Sequence, residues 1–364
     1  MALSTRGLVF SGAGRPLRVE TLLLDEPRQG EVLVRTLASG VCRSDLHVVD
    51  GDWERPANVV LGHEGAAVVE AIGPGVEGLS DGDLVVLAWT APCGACRACV
   101  RDEPWLCTSP HGGGHRLRDE DVRLRRPDGS PVGAYSGIGT FGQHQVVARE
   151  AAIPVDPSTP PEIAALIGCA VTTGVGAVLN TAKVGAGESV VVIGAGGVGL
   201  AAVMGAVLAG ANPIIAIDVS DAKLELAIQA GATHALTGSD ASKVRDLTDG
   251  GAFHVLEAIG LTETVERAIE LARPGGTITL VGMTAQGRRA TFDVYRFVED
   301  GKRLLGSNYG SATPAFDFPR IAAFYAEGRL PLDLLVTERI GLEGVDAAFD
   351  AMRRGDGARR VIVY

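Results

Sequence analysis

The sequence predicts an α/β protein in two parts, a strand-rich domain and a second domain built on a doubly wound parallel sheet. Three observations predict it. Up to about Ala152, short and mostly apolar runs are separated by Gly, Pro and Asp turns, which reads as closely spaced strands of a small barrel or sandwich. Beyond Pro160 such runs alternate with helix-period segments, which implies parallel strands covered on both faces. Between a strand and a helix of that second part lies Gly-Ala-Gly-Gly-Val-Gly, residues 194–199.

The elements follow in order. Glu31–Ala38, Ala66–Gly73 and Asp83–Trp89 read as strands of the first part. Residues 111–140 form a polar stretch rich in Arg, Asp and Gly, expected to be a long loop acting as a lid, a subunit contact or a surface excursion. Residues 161–182 are apolar at helical spacing. Strands at 189–194, 213–219, 234–238, 253–260 and 277–282 then alternate with helices such as 220–232 and 262–275, with Gly or Pro closing them. The alternation ends near Asn308, and the last segment is expected to pack back on the first domain. The domains are therefore placed at 1–170 with 309–364, and at 171–308.

Composition narrows the function. Lys plus Arg is 33 against 44 for Asp plus Glu, a net charge of −11, whereas a duplex-binding face must be basic. The 49 glycines are scattered among apolar runs without a period, which fits tight turns rather than linkers. The start, MALSTRGLVF, lacks an apolar core after a basic end and is not read as a secretory signal. Residues 190–211 carry no charge and are long enough for a membrane span, but their Gly and Ala content reads as strand, turn and helix. The expectation is a cytoplasmic protein with neither nucleic-acid nor membrane partners.

Six cysteines without an export signal are unlike a disulfide framework. Cys93, Cys96, Cys99 and Cys107 are spaced x2, x2 and x7, within reach of one tetrahedral zinc ion with no open position, a structural site. Cys42, His63 and Cys169 offer two thiolates and an imidazole, leaving a fourth position open as in catalytic zinc. Taken singly, His63 reads more readily as a satisfied core histidine and Cys169 as a small buried hydrophobe; it is together with the glycine motif and the resemblance below that they read as ligands. Glu64 would lie beside that metal, and Asp45 is a candidate acceptor orienting an imidazole.

In the glycine motif, Gly194 permits a tight turn, Gly196 lets the backbone approach a pyrophosphate, and Gly199 lets the helix pack on its strand. Gly197 and Val198 belong to the same turn, and the helix N-terminus presents free amides to phosphate. Asp218 ends the next strand, 19 residues after Gly199. A carboxylate there accepts from ribose hydroxyls and repels a 2′-phosphate, favouring NAD over NADP. Lys223 lies within reach of the same ribose, or is an ordinary exposed helix lysine.

These motifs together resemble the zinc-dependent medium-chain alcohol dehydrogenases over essentially the full length. The matching stretches are GVCRSDLHVVDG, LGHEGAAVVEAIGPGV, the four-cysteine loop, GCAVTTGVGAV, VVVIGAGGVGLAAV and DVSDAKLELA. The stretch 111–140 and GIGTFGQHQVV look more like the longer, liver-type branch. The resemblance implies a GroES-like catalytic domain, a Rossmann coenzyme domain, two zinc ions per chain, NAD, and a homodimer. It implies that Cys42, His63 and Cys169 ligate the catalytic zinc, with Glu64 beside them. Ser44 and His47 match the family's proton relay. Arg43 and Arg359 match the arginines on the pyrophosphate, Arg360 beside Arg359 leaving that assignment open. Thr173 and Val198 match residues lining the nicotinamide, and Val281 a backbone contact to its carboxamide.

The implied reaction is reversible oxidation of a primary alcohol to an aldehyde, with hydride passing to NAD. Trp89 and Tyr135 match the alcohol pocket, with Trp53 and Met283 further out, and aromatic walls favour apolar or aromatic alcohols. The alternative is a formaldehyde dehydrogenase acting on glutathione or mycothiol adducts. The glutathione type uses acidic residues just after the CRSDLH region, where this chain has Gly51 and Trp53, with Asp52 and Glu54 nearby.

Overall fold

The computed structural model describes residues 2–108, 121–238 and 241–364. The chain forms two compact units, Met1–Cys169 with Thr313–Glu327 and Val336–Tyr364, and Ala170–Ala312 with Gly328–Leu335. Residues 309–312 and 328–335, grouped with the first domain in the sequence reading, belong to the second unit.

In the first unit, β1 (Leu3–Phe10), β2 (Arg18–Leu24), β4 (Val59–Val60), β7 (Leu124–Arg125) and β8 (Pro131–Ala134) close a barrel in the order β1-β2-β7-β8-β4. A seven-stranded sheet runs β10 (Ala152–Pro154), β6 (Leu84–Leu87), β5 (Gly65–Ile72), β3 (Glu31–Gly40), β18 (Arg359–Val363) and β17 (Val336–Ile340), with β9 (His144–Ala148) also on β3. The return of the C-terminus is visible in register: Val361, Ile362 and Val363 of β18 face Gly40, Ser39 and Ala38 of β3. The pairing continues one step further, where the Val41 amide donates to the Arg360 carbonyl at 2.9 Å. It therefore brings Arg359 to the end of β3, where Cys42 begins the helix Arg43–Asp50.

The expected long loop is only partly a loop. Residues 109–120 lie outside the described residues, but 121–140 supply β7, β8 and a short 3-10 turn to the barrel. Its polar composition hid this because one arginine is neutralised internally. Arg123 makes a two-pronged ion pair with Glu31, and the two side chains are 2% and 4% exposed. A buried charge persists only when paired and hydrogen-bonded in this way.

The second unit is a parallel sheet ordered β13 (His234–Thr237), β12 (Ile214–Asp218), β11 (Val190–Ile193), β14 (Ala252–Glu257), β15 (Ala272–Leu280) and β16 (Arg303–Gly306). Every residue of β11 and β12 is buried, which explains their unbroken Val/Ile composition. The uncharged stretch from Val190 resolves into β11 and the helix Gly197–Ala209, as its sequence predicts. The helix Pro161–Ala182 is also long and apolar enough to span a membrane, but 83% of its apolar window is buried inside the protein.

Candidate functional site

Cys93, Cys96, Cys99 and Cys107 converge in a half-buried lobe, their sulfurs all within 4.8 Å of one another. The short helix Arg97–Val100 and the turn Pro104–Leu106 bring them together. Cys96 Sγ is 3.6 Å from Cys99 Sγ and 3.8 Å from Cys107 Sγ. Four sulfurs at about 2.3 Å from a tetrahedral zinc ion would stand about 3.8 Å apart, so the set fits that ion. The Cys93 amide donates to Cys107 Sγ at 3.4 Å and the Cys96 amide to Cys93 Sγ at 3.3 Å, bonds that favour thiolate. Backbone amides at Cys99 and Thr108 hold the Cys96 thiol down to about 6, whereas burial and Cys96 push Cys99 up to about 12.

The second group draws its members from distant segments. Cys42 follows β3 and caps the helix Arg43–Asp50, and His63 lies between β4 and β5. Cys169 sits in a π-turn, residues Ile167–Val171, of the helix Pro161–Ala182. All three are buried and their ligand atoms lie within 4.8 Å of one another. Asp45 Oδ1 is 3.0 Å from His63 Nδ1 and also accepts the Gly62 amide at 3.2 Å. A carboxylate there takes the Nδ1 proton's hydrogen bond and leaves Nε2 as the free lone pair. Burial alone would push the His63 imidazole down, but Asp45, Cys169 and Cys42 together hold it well up. A hydrogen bond from Cys169, helped by Arg359, holds the Cys42 thiol well below its ordinary value, and Cys169 rises in consequence.

Glu64 and Arg359 complete the buried layer. Arg359 Nε is 3.6 Å from Glu64 Oε2, and Arg359 Nη2 is 3.7 Å from Cys42 Sγ. Arg359, which the resemblance assigns to the pyrophosphate, is buried beside Glu64 and Cys42, while Arg360 pairs with Glu338 at the surface. Gly40 makes room for this arrangement, since a Cβ there would fall 2.1 Å from Glu64 Oε2. Arg43 is exposed and donates to the Met352 carbonyl at 3.3 Å.

Ser44 and His47 are three apart on the helix Arg43–Asp50, the spacing that shares one face. His47 Nδ1 is 2.7 Å from Asp52 Oδ2, and its ring stacks on Trp53 with centroids 4.8 Å apart. Sequence reasoning missed Asp52 as the partner of His47, although five residues separate them. Of the expected pocket residues, Tyr135 is buried edge-on to His63 at 5.7 Å. Trp89 packs on the core of the β3–β5–β6 sheet, and Met283 is exposed.

In the second unit the glycine turn has the shape its sequence predicts. Gly194 has φ +97°, and a Cβ on Gly199 would sit 1.7 Å from the Gly194 carbonyl oxygen. At Gly196 a Cβ would meet nothing within 4 Å, so the turn offers open space where a pyrophosphate approach is required. Gly197 and Val198 open the helix Gly197–Ala209. Gly174 packs against the Val198 carbonyl, a Cβ there falling at 2.3 Å, which sets the turn of Thr173 beside that of Val198. Asp218 accepts the Ala195 and Ser220 amides, at 2.8 and 3.0 Å, so it also braces the glycine turn. Lys223 is half-buried in the helix Asp221–Gln229.

Val281 follows β15, and its amide donates to the Glu257 carbonyl at 2.8 Å. Glu257 itself, at the end of β14, is fully buried, and its sequence context gave no sign of a role beyond a polar strand position.

Residues 28–157 match the alcohol dehydrogenase GroES-like domain, and 197–327 match the zinc-binding dehydrogenase domain. The chain is 38% identical over 373 positions to the NDMA-dependent alcohol dehydrogenase of Amycolatopsis methanolica, covering 100% of this chain and 99% of that one. It is 36% identical over 377 positions to the S-(hydroxymethyl)glutathione dehydrogenase of Haemophilus influenzae, covering 100% and 98%. The crystal structure of benzyl alcohol dehydrogenase from Acinetobacter calcoaceticus superposes with a TM-score of 0.93 at 32% identity, covering 99% of each chain.

Proposed function

The chain belongs to the zinc-dependent medium-chain alcohol dehydrogenase family, and we propose that it interconverts apolar or aromatic primary alcohols and their aldehydes with NAD. The observation that carries this reading is the buried Cys42–His63–Cys169 set with Asp45 behind the imidazole. Those three residues would hold the catalytic zinc and the four-cysteine lobe a structural one. Bound zinc supplies a Lewis acid that lowers the pKa of a substrate hydroxyl.

The chain's own residues do the rest. Asp45 fixes the tautomer of His63, and Arg359 offsets the charge of Cys42 and Glu64. Ser44 accepts the hydroxyl proton and passes it toward His47, whose Nδ1 is held by Asp52 so that Nε2 receives it. Gly194, Gly196, Gly197 and Gly199, at the N-terminus of their helix, take the pyrophosphate, with Arg43 and Arg359 as the cations assigned to it. Thr173 and Val198 line the nicotinamide, and Val281 contacts its carboxamide through the backbone. Asp218 and Lys223 hold the adenine-side ribose, and the carboxylate selects NAD over NADP.

The thiol-adduct reading draws support from relatives named S-(hydroxymethyl)glutathione dehydrogenase. Two observations favour the simpler alcohol. Asp52, the nearest carboxylate after the CRSDLH helix, is hydrogen-bonded to His47, and Trp53 is buried on the same ring.

A homodimer belongs to this proposal. The edge strand β16 exposes Leu304, and the helix Val294–Glu299 buries no residue while exposing Val294, Tyr295 and Val298. Exposed apolar side chains and a strand at the sheet edge are features suited to pairing with a second copy. A cytoplasmic location fits six cysteines that are all free.

The test is NADH formation on aliphatic and benzylic alcohols, with NAD or NADP, with and without glutathione or mycothiol. Thiol-independent turnover with NAD is expected. Turnover confined to formaldehyde plus a thiol would replace this reading with the alternative.

A further inference from the structure

Glu257 has no part in the chemistry above, yet it is a fully buried carboxylate where the turn after β14 lies against the backbone that follows β15. One oxygen, Oε1, accepts the Ile259 and Gly260 amides at 2.9 Å each and the Thr264 hydroxyl at 2.8 Å. Its main-chain carbonyl accepts the Val281 and Gly282 amides, at 2.8 and 2.9 Å. The side chain thus draws in two amides of the turn after β14 and a hydroxyl of the helix Thr262–Leu271, while the main-chain bonds continue the β14–β15 pairing, in which Glu257 faces Leu280. Glycines at both contacts let the loops lie back to back. A Cβ on Gly260 would come within 2.6 Å of the Met283 carbonyl oxygen, and one on Gly282 within 2.2 Å of the Gly260 amide and 2.7 Å of Glu257 Oε2. Ile259 in turn fills the space beside Gly194, where a Cβ would meet its Cγ1 at 2.6 Å.

A charged or polar group buried this deeply persists because something depends on its bonds. An apolar residue would fill the space, but it would leave the Ile259 and Gly260 amides without their acceptor. The dependence is directional. The side chain holds the turn at 259–260, that turn lies against the backbone at 282–283, and that backbone continues directly from Val281.

We propose that Glu257 is a positioning residue that sets the Val281 carbonyl for the nicotinamide end of the cofactor, and that it bears on the pyrophosphate end only weakly, through Ile259 beside Gly194. This inference rests on the reading of the second unit as a nicotinamide-dinucleotide site. A residue that merely stabilised the unit would weaken every part of the cofactor alike; one that positions Val281 discriminates between its two ends.

Calorimetric titration of the full-length, zinc-loaded protein with NADH and with ADP-ribose, which lacks the nicotinamide, makes the distinction. Glu257→Ala is expected to weaken NADH by about tenfold or more while ADP-ribose changes less than about threefold. Glu257→Gln, which keeps an acceptor oxygen for the two amides, should bring NADH back to within about threefold of the original. Equal weakening of both ligands, or of neither, overturns the proposal. Should Glu257→Ala fail to fold, Thr264→Val removes one donor from a half-buried position and should weaken NADH about threefold with ADP-ribose unchanged; an unchanged NADH affinity overturns it as well. If the unsubstituted protein binds neither ligand, the cofactor reading itself has failed, a result visible before any substitution is made.

Discussion

The two cysteine groups of this chain present the same element in opposite settings. The lobe at Cys93–Cys107 draws four sulfurs from one short segment, half-exposed, with backbone amides as its main support. The Cys42–His63–Cys169 group draws three ligands from distant segments and buries them behind Asp45, Glu64 and Arg359. A local cluster needs only a turn to form. A dispersed one needs the whole first unit folded before its ligands meet, and its surrounding charges are arranged with it. Closure and openness follow: four donors complete a tetrahedron, while three leave a place for chemistry.

Substitutions can break this contrast. The largest effect is expected at Cys42→Ala, with turnover falling by at least about a thousandfold because a Lewis acid supplies several kcal/mol. Metal analysis should then find one zinc per chain rather than two, the lobe keeping its own. Asp45→Asn should lower affinity for the catalytic zinc by about 10–100-fold, read by competition with a chelator, with the lobe untouched. Asp52→Ala leaves both metals in place and should lower kcat by about tenfold through loss of the fixed His47 tautomer, with zinc content as the control. The smallest effect on turnover is expected from Cys107→Ser. Loss of the lobe zinc should lower Tm by roughly 5–10 °C, while kcat per catalytic zinc at low temperature stays within about threefold. A Cys107→Ser protein inactive with its catalytic zinc still bound would show that the two groups are not independent.

Legibility in the sequence followed the same division. The lobe and the Gly194–Gly199 turn could be read directly, because spacing of a few residues dictates their geometry. Cys42, His63 and Cys169 could be joined only through resemblance, since nothing in the order of residues states that β3, the 61–64 turn and a helix over a hundred positions later converge. Residues 121–140 were misread as loop because Arg123 and its neighbours look solvated until Glu31 is found opposite. Gly40 stayed silent for a related reason. Its purpose is the space that Glu64 occupies, and absence of a side chain leaves no pattern. Asp52 and Glu257 were ordinary acids until hydrogen bonds gave each a partner.

The stacking of Trp53 on His47 has an optical consequence. An indole excited beside an imidazolium loses energy by electron transfer to the cation, and beside a neutral imidazole it does so far less. The chain has three tryptophans, so Phe at positions 89 and 105 leaves Trp53 as the sole emitter. Its brightness then becomes a live gauge of the charge on His47, readable without substrate, cofactor or turnover.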